Sequence, residues 1–315
     1  MSIQTISSET MLVLQAMNLP GVGPAALRKL LGALSISKPH SNSNDVKIFL
    51  EKKLVGSDVI TPEFKANEIV MKCEDNDIQI ISPFDSSYPE PLTLIDDYPP
   101  ILYVKGRLNS LSKKSCAVVG TREASKLGLS WAKQIASLMA ENNFSIVSGL
   151  ALGIDAAAHK GALESNGTTV AILAHGLDRV TPSSNRRLAD EILANDGALV
   201  SEHAPGVPPR RAEYVRRNRI QSGMSLCSII VESGGTGGAM HQGNFTKKQK
   251  RLLFCAYPAS DVRGADDFNF EGAKKLMSDS GAIAIKSSDE LISIIQSKEI
   301  DNNYGVISKI SRSLV

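Results

Sequence analysis

The stretch "SGLALGIDAAAH" (148–159) places two glycines and a carboxylate between an apolar, strand-like run and an alanine-rich, helical run. In a strand-to-helix turn of this kind, the first backbone N–H groups of the helix have no partner within the helix, so they can bind an anion. The sequence therefore predicts an anion-binding turn that includes Ser148, Gly149 and Gly153.

Two other apolar runs also end in glycines. "VGTR" places Gly120 and Arg122 after one predicted strand, and "VESGGTGGA" (231–239) places Gly234, Gly235 and Thr236 after another. Because parallel strands end at the same edge of a sheet, the three turns are expected to open on one crevice. Arginine suits two-pronged phosphate contact there. The alternative for each turn is a structural role, in which glycine only lets a helix pack close to its strand.

Basic residues are clustered although the net charge is only +2. "RRAEYVRRNR" (210–219) holds five arginines in ten residues, and "KKQKR" (247–251) holds four basic residues in five. Such clusters can form a local positive field, and two solvated helix faces are the alternative. Arg186 and Arg187 open another predicted helix, where the helix dipole opposes a positive charge. That position indicates either a nearby anion or ordinary surface arginines.

Catalytic and cofactor signals are weak. Asp155 and His159 are four residues apart on one helix face, which permits an acid/base pair. The alternative is a carboxylate favoured by the helix dipole beside a packed histidine. No glycine turn fits the dinucleotide or P-loop fingerprints, and no metal-spaced set of ligands stands out. The sequence predicts no catalytic residue, no metal and no cofactor.

Apolar runs alternate with helical stretches from about residue 115 onwards. The predicted strands are "CAVVG", "FSIVSG", "TTVAILA", "GALVSEH", "LCSIIVE", "RLLFCAY" and "AIAI". This alternation predicts an α/β fold with a Rossmann-like, doubly wound, mainly parallel sheet. The proline-rich passage before it (78–106) is expected to be extended and to lie along one edge of that sheet.

The predicted domain organisation has three parts. Residues 1–77 form a small helical domain whose "LPGVGPAALRKLL" resembles a helix-hairpin-helix element, with a plain structural corner as the alternative. The polar segment 35–47 reads as a loop within it. Residues 78–300 form the Rossmann-like domain, and 301–315 form a C-terminal tail.

Composition excludes several classes of protein. With 315 residues, of which 42% are hydrophobic, the chain can bury a large core. The sequence has no run long enough to span a membrane and no secretory signal, so it predicts a cytoplasmic protein. Its four cysteines are far apart and are expected to be reduced, buried strand residues.

Several of these motifs occur together in a fixed order. With "VGTR", "SGLALGIDAAAHKGAL", "GLDRVTPSSN", "SEHAPG" and "RRNRI", the chain resembles the DNA-processing protein A (DprA/Smf) family over about residues 80–260. The resemblance implies a protein that binds single-stranded DNA in a basic pocket, forms a homodimer and helps to load a RecA-type recombinase during natural transformation. A role in recombination or in defence against foreign DNA is equally open.

The resemblance also implies which residues form the pocket. Those expected to line or support it are Arg122, the turn at 148–153, Asn185, Arg217, Asn218 and Arg219. Arg122 and the glycine-turn amides would hold phosphate, while Arg217 and Arg219 would extend the positive track. Asn218 would brace a loop or contact a base.

The chain departs from the family pattern in three places. Thr181 and Ser183 stand where the family has tyrosine and lysine, so Arg186 and Arg187 are expected to supply the charge. The glycine segment "ESGGTGGAMHQG" is shortened, which affects the shape of the pocket. Few residues follow position 290, so the winged-helix domain of many family members is not expected here.

Two other classes of function stay open. The glycine segment is similar to that of nucleotide-binding or nucleotide-hydrolysing enzymes with a Gly-Gly-x-Gly-Thr motif. Here, however, no proline precedes the glycines, and Met240, His241 and Gln242 follow them in place of a glutamate. The third class is an interaction module whose partner is another protein.

Overall fold

The structure is a computed structural model that describes residues 6–33, 48 and 60–300. Within these residues, nine strands form one sheet. They are β1 (Ile78–Ile81), β2 (Leu102–Gly106), β3 (Ser115–Val119), β4 (Ser145–Ser148), β5 (Thr169–Leu173), β6 (Ala198–Ser201), β7 (Cys227–Ile230), β8 (Leu252–Ala256) and β9 (Ile283–Ile285).

Eleven helices of the described part surround the sheet. They are α1 (Ser8–Met17), α2 (Pro24–Ala33), α3 (Ile60–Glu74), α4 (Glu90–Thr93), α5 (Lys126–Glu141), α6 (Ile154–Glu164), α7 (Arg186–Ala194), α8 (Arg211–Met224), α9 (Gly238–Lys248), α10 (Glu271–Ser280) and α11 (Ser288–Ile300).

The strand order is β1-β2-β6-β5-β4-β3-β7-β8-β9. Strands β3 to β9 pair in parallel, which confirms the predicted doubly wound sheet. From β3 the strands β4, β5 and β6 follow in sequence order toward one edge of the sheet, and β7, β8 and β9 follow in sequence order toward the other. The order therefore reverses between β3 and β7, and ligands bind outside the carboxyl ends of the strands at such a point.

The seven predicted strands correspond to β3 to β9. The proline-rich passage lies along one edge, as expected, and it also contributes two strands of its own. β2 pairs antiparallel with β6, with Tyr103 opposite Ser201, and β1 pairs antiparallel with β2. Neither strand contains a proline, because β1 ends before Pro83 and β2 begins after Pro100, so no N–H group is missing from their ladders.

Apolar residues fill both sides of the sheet. On one side, the buried faces of α5, α6 and α11 pack on β3, β4, β7 and β8, and the single tryptophan, Trp131, lies in this core. On the other side, Ile220 and Met224 of α8 pack on β5 and β6, and α9 and α10 pack on β7 and β8. Strands buried on both faces explain the continuous apolar runs in the sequence.

The N-terminal helices pack directly on the sheet. Val13 of α1 and Leu27 of α2 belong to the same apolar cluster as Ile78 of β1 and Tyr103 of β2. The helical hairpin is formed as predicted, with Gly21 in its turn at φ +76° and Pro24 as the first residue of α2. The predicted loop at 35–47 and the predicted tail at 301–315 lie outside the described residues, and the boundary at 77 stays a prediction.

All four cysteines are buried and free. Cys116, Cys227 and Cys255 lie in strands β3, β7 and β8, as predicted. The prediction was wrong for Cys73, which lies in the last turn of α3. A single buried cysteine has the same character on the inner face of a helix as in a strand, so the residue type alone does not tell the two apart. Among the residues that the structure describes, no helix combines the length and the apolar character needed to cross a bilayer.

Candidate nucleic-acid interface

The turns after β3 and β4 contact each other through two glycines. A Cβ atom on Gly153 would lie 2.4 Å from the carbonyl oxygen of Thr121, and one on Gly120 would lie 2.5 Å from Ile154 Cγ1. Gly153 also adopts φ +73°, which L side chains rarely adopt. The glycines therefore let the two turns meet, and the amide of Ile154 donates to Thr121 O at 3.2 Å.

The carboxylate of Asp155 binds the turn that precedes its own helix. Asp155 Oδ2 accepts hydrogen bonds from the amides of Gly149 (3.1 Å) and Ala151 (3.4 Å). These two amides, predicted to hold phosphate, are therefore already used within the protein. Ser148 is also structural, since its hydroxyl donates to Val118 O at 2.7 Å.

Arg217 of α8 lies against Gly149. A Cβ atom at Gly149 would come 1.7 Å from Arg217 Nη1 and 2.4 Å from its Cζ. Glycine at this position thus makes room for the guanidinium, and only 6% of Arg217 is exposed. Gly149 contributes through its missing side chain, a role that the glycine pattern alone does not indicate.

The guanidinium of Arg217 is poorly matched by acceptors. Its Nε and Nη1 atoms are buried and have no hydrogen-bond partner among the described residues. Burial lowers the pKa of Arg217, and the charge of Asp155 opposes that effect. Burial likewise raises the pKa of Asp155, and the positive charge of Arg217 opposes it. Arginine still remains charged near neutral pH, so this part of the protein holds a positive charge that lacks acceptors.

Asp155 and His159 do not form an acid/base pair. The Thr169 hydroxyl donates to Ile146 O at 2.7 Å, so it accepts from His159 Nδ1, which lies 2.7 Å away. Burial and the charge of Arg217 lower the pKa of His159 to about 3. The packed-histidine alternative therefore describes this residue.

Arg122 lies on the solvent side of the same region. Its side chain is exposed, and its Cζ atom lies 5.4 Å from the ring centroid of Tyr214 on α8. A guanidinium at this distance over an aromatic ring forms a cation–π contact. The contact places a positive charge and an aromatic ring side by side at the surface.

A cavity of about 90 Å³ lies between these groups. Four of the predicted site residues line it, namely Gly120, Arg122, Arg217 and Asn218. The others in its lining are Val119, Ala151, Asp155, Tyr214, Val215, Gln221, Gly238, Ala239 and Gln242. It opens at the carboxyl ends of β3 and β7, where the order of strands reverses.

Two asparagines brace the walls of the cavity. Asn185 Nδ2 donates to the carbonyls of Leu150 (2.9 Å) and Ala151 (3.2 Å), and Leu150 adopts φ +58°. Asn218 Nδ2 donates to Gly238 O at 2.9 Å. This bond joins α8 to the first turn of α9, and the contact of Asn218 with a base stays a prediction.

Arg219 does not join this group. It is 2% exposed, and its guanidinium forms two hydrogen bonds of 2.7 Å with the carboxylate of Glu202. Its Nε donates to Asp97 O at 3.0 Å. Neighbouring positions on a helix point in different directions, so the expectation that Arg217 and Arg219 share one positive track does not fit the geometry.

The remaining predicted residues lie around the cavity and not in its lining. Arg186 and Arg187 are exposed at the start of α7, and Arg187 pairs with Glu191 at 3.0 Å. The amide of Gly235 donates to Glu271 Oε2 at 3.2 Å, and a Cβ atom at Gly234 would lie 3.8 Å from the same oxygen. Thr236 is exposed on the same loop.

Sequence reasoning missed Glu232, which lies two residues after the end of β7. Its Oε2 accepts from the amide and the hydroxyl of Ser125, both at 3.0 Å, at the start of α5. Its Oε1 accepts from the amide of Asn269 at 3.0 Å. An acidic residue between a buried strand and a glycine turn is the signal that could have identified it. Gln221 and Gln242 were missed because buried amides carry no distinct pattern. Gly238 was missed because the glycine segment does not show at which glycine the helix begins.

The fold and this site define a class: an α/β protein with a Rossmann-like sheet and a positively charged cavity at the point where the strand order reverses. Residues 79–296 match the profile of DNA recombination-mediator protein A. The chain belongs to this family.

Individual relatives agree with this assignment. Protein Smf of Escherichia coli is 37% identical over 215 residues, which are 68% of this chain and 56% of the relative. The chain thus spans little more than half the length of that relative. The X-ray structure of DprA from Streptococcus pneumoniae aligns with a TM-score of 0.71 and 28% identity, covering 91% of this chain and 98% of that one.

A second solved structure is that of DNA processing protein A from Helicobacter pylori, whose single-stranded DNA binding mode its description names. It aligns with a TM-score of 0.61 and 24% identity, covering 71% of this chain and 98% of that one. At this identity it shows that the fold is the same.

Proposed function

We propose that the chain binds single-stranded DNA across the mouth of the cavity. The observation that carries the proposal is the contact of Arg122 with Tyr214 beside the buried, acceptor-poor Arg217. An exposed arginine supplies a phosphate contact, and an aromatic ring beside it offers a face on which a base can stack.

The preference for a single strand follows from the shape of the site. The cavity is narrow. In a duplex the bases are paired at their edges and stacked on each other, so their faces cannot reach Tyr214. In a single strand the bases are free to turn toward the protein. The single-stranded DNA binding of the Helicobacter pylori protein supports the same ligand for this family member.

The experiment is a side-by-side titration with single-stranded DNA, duplex DNA of the same sequence and a panel of free nucleotides. Single-stranded DNA is expected to bind most tightly. With about four to six phosphates neutralised, the slope of log K against log[salt] is expected to be roughly −3 to −4. Equal affinity for duplex, or a flat dependence on salt, contradicts the proposal. Tight binding of a free nucleotide alone supports the nucleotide-enzyme alternative.

The biological role proposed for this binding is protection of single strands and delivery to a RecA-type recombinase, in recombination or DNA uptake in the cytoplasm. The homodimer expected from the family belongs to the same proposal. Light scattering at micromolar concentration measures it directly, and the monomer mass of 33.7 kDa would count against it.

A further inference from the structure

The inner part of the cavity holds hydrogen-bond donors that have no acceptor. Arg217 and Gln221 both line it, at 6% and 1% exposure. Arg217 Nε and Nη1 and Gln221 Nε2 are buried without a partner among the described residues. A buried donor without an acceptor is destabilising, and more so when it is charged, so a bound acceptor stabilises this arrangement.

The N-terminus of α9 borders the same cavity. Gly238, the first residue of α9, and Ala239 both line it, and the preceding Gly237 gives no side-chain cap. The N-terminus of α5 differs, because Ser125 and Glu232 occupy it. A helix N-terminus without a cap has free N–H groups and a partial positive charge, which attract an anion.

The charges of the lining also favour an anion. Arg122 and Arg217 are its two basic side chains, and Asp155 is its one acidic side chain within the described residues. Asp155 already accepts from the amides of Gly149 and Ala151. The balance is positive, and at about 90 Å³ the cavity has room for a group the size of phosphate.

We propose that the inner cavity binds the terminal phosphomonoester of a DNA strand. A phosphate inside a strand is bonded to a sugar on both sides and needs two exits from the cavity. A terminal phosphate needs one, carries nearly two negative charges and presents three free oxygens. This proposal rests on the proposed function, since the rest of the strand would leave past Arg122 and Tyr214.

The same phosphomonoester chemistry occurs in free mononucleotides, so the experiment separates the two sources. Fluorescence anisotropy is measured with one oligonucleotide in three forms: unphosphorylated, 5′-phosphorylated and 3′-phosphorylated. Unlabelled dTMP and inorganic phosphate serve as competitors. One of the phosphorylated forms is expected to bind about tenfold more tightly than the unphosphorylated form, since two or three charge-assisted hydrogen bonds are gained.

Equal affinity for all three forms overturns this inference and leaves the proposed function intact. No binding of any form contradicts the proposed function itself. Competition by dTMP at the concentrations at which the phosphorylated oligonucleotide binds assigns the cavity to free nucleotides, which also overturns the strand-end proposal.

Two variants test the location. Gln221→Glu places a carboxylate among the unpaired donors, and Gly238→Asp places one at the start of α9. No atom lies within 4 Å of a Cβ at Gly238, and an acidic residue is favourable in the first turn of a helix, so this variant is expected to fold. Both variants are expected to lose the preference for a phosphorylated end.

The matched control is Ser130→Asp, which adds the same charge at an exposed position of α5 outside the cavity lining. It is expected to keep the ratio of affinities for phosphorylated and unphosphorylated ends. Thermal melting shows that each variant is folded. If Gly238→Asp is folded and keeps the full preference, the phosphate is bound elsewhere and the proposal is wrong.

Discussion

The guanidinium of Arg217 occupies the space that a side chain at Gly149 would fill, with Nη1 1.7 Å from the position of the missing Cβ. The backbone of Gly149 has an ordinary φ, so a substitution meets the arginine and adds no backbone strain. Gly149→Ala is therefore expected to displace the guanidinium and weaken single-strand binding about tenfold or more, a loss typical of a charged hydrogen bond.

The control for that prediction is Gly234→Ala. A Cβ at Gly234 would come no closer than 3.7 Å to Asn269 Nδ2, which is an ordinary contact, and Gly234 lies outside the cavity lining. Its affinity for DNA is expected to stay within about twofold of the wild-type value. If the Gly149→Ala protein binds DNA as tightly as the wild type, Arg217 does not belong to the binding site.

Arg122 is expected to contribute to binding and little to folding, because its side chain is exposed and lies over the ring of Tyr214. Arg122→Ala should lose about 1.5–3 kcal/mol of binding free energy, roughly a ten- to hundredfold loss of affinity. Arg122→Lys keeps the charge without the two-pronged geometry and should recover part of it. Affinity and thermal melting are measured on the same preparations, and a lower melting temperature with unchanged affinity would refute this assignment.

Arg219 is expected to behave in the opposite way. Removing it leaves Glu202 largely buried without its partner, so Arg219→Ala should lower the free energy of unfolding by about 3–5 kcal/mol. The protein that remains folded should bind DNA with nearly wild-type affinity. Denaturant unfolding together with titration of the active fraction checks both statements, and Arg216→Ala, an exposed neighbour on α8, is the control.

His159 is expected to make the stability depend on pH. Its pKa in the folded protein is about 3, below the ordinary 6.5, so the unfolded chain binds a proton that the folded protein excludes. Stability should therefore be complete above pH 6.5 and fall by about 1.4 kcal/mol for each pH unit below it, until the folded pKa is reached.

His159→Asn keeps a donor for the Thr169 hydroxyl and removes this titration. The unfolding free energy of the wild type minus that of this variant should fall by about 1.4 kcal/mol for each pH unit as the pH is lowered from 6.5 to 4. His241→Asn, at an exposed position of α9, serves as the control. A constant difference between the His159→Asn protein and the wild type across this range would show that His159 does not titrate on unfolding.

The sequence predicted the sheet better than it predicted the role of each site residue. Apolar strand runs and the rule that parallel strands end at one edge placed Gly120 and Arg122 beside the turn at 148–153, where the structure has them. Arg217 was indicated by the arginine cluster and the family resemblance, and not by the strand pattern. Which way a side chain points depends on packing, and this separated Arg217 from Arg219 only two positions away. The use of turn amides by Asp155 and of a missing Cβ by Arg217 also depends on contacts between distant segments, which a sequence pattern does not record.

During synthesis of the chain, β2 can pair with β6 only after residues 198–201 have been made. Tyr103 meets Ser201, nearly one hundred residues later in the chain, while α1, α2 and α3 pack around β1 and β2. A ribosome adds roughly 5–20 residues each second, so β2 waits on the order of five to twenty seconds for its partner strand to be synthesised. During that interval the apolar face shared by these first elements is exposed to the cell's chaperones.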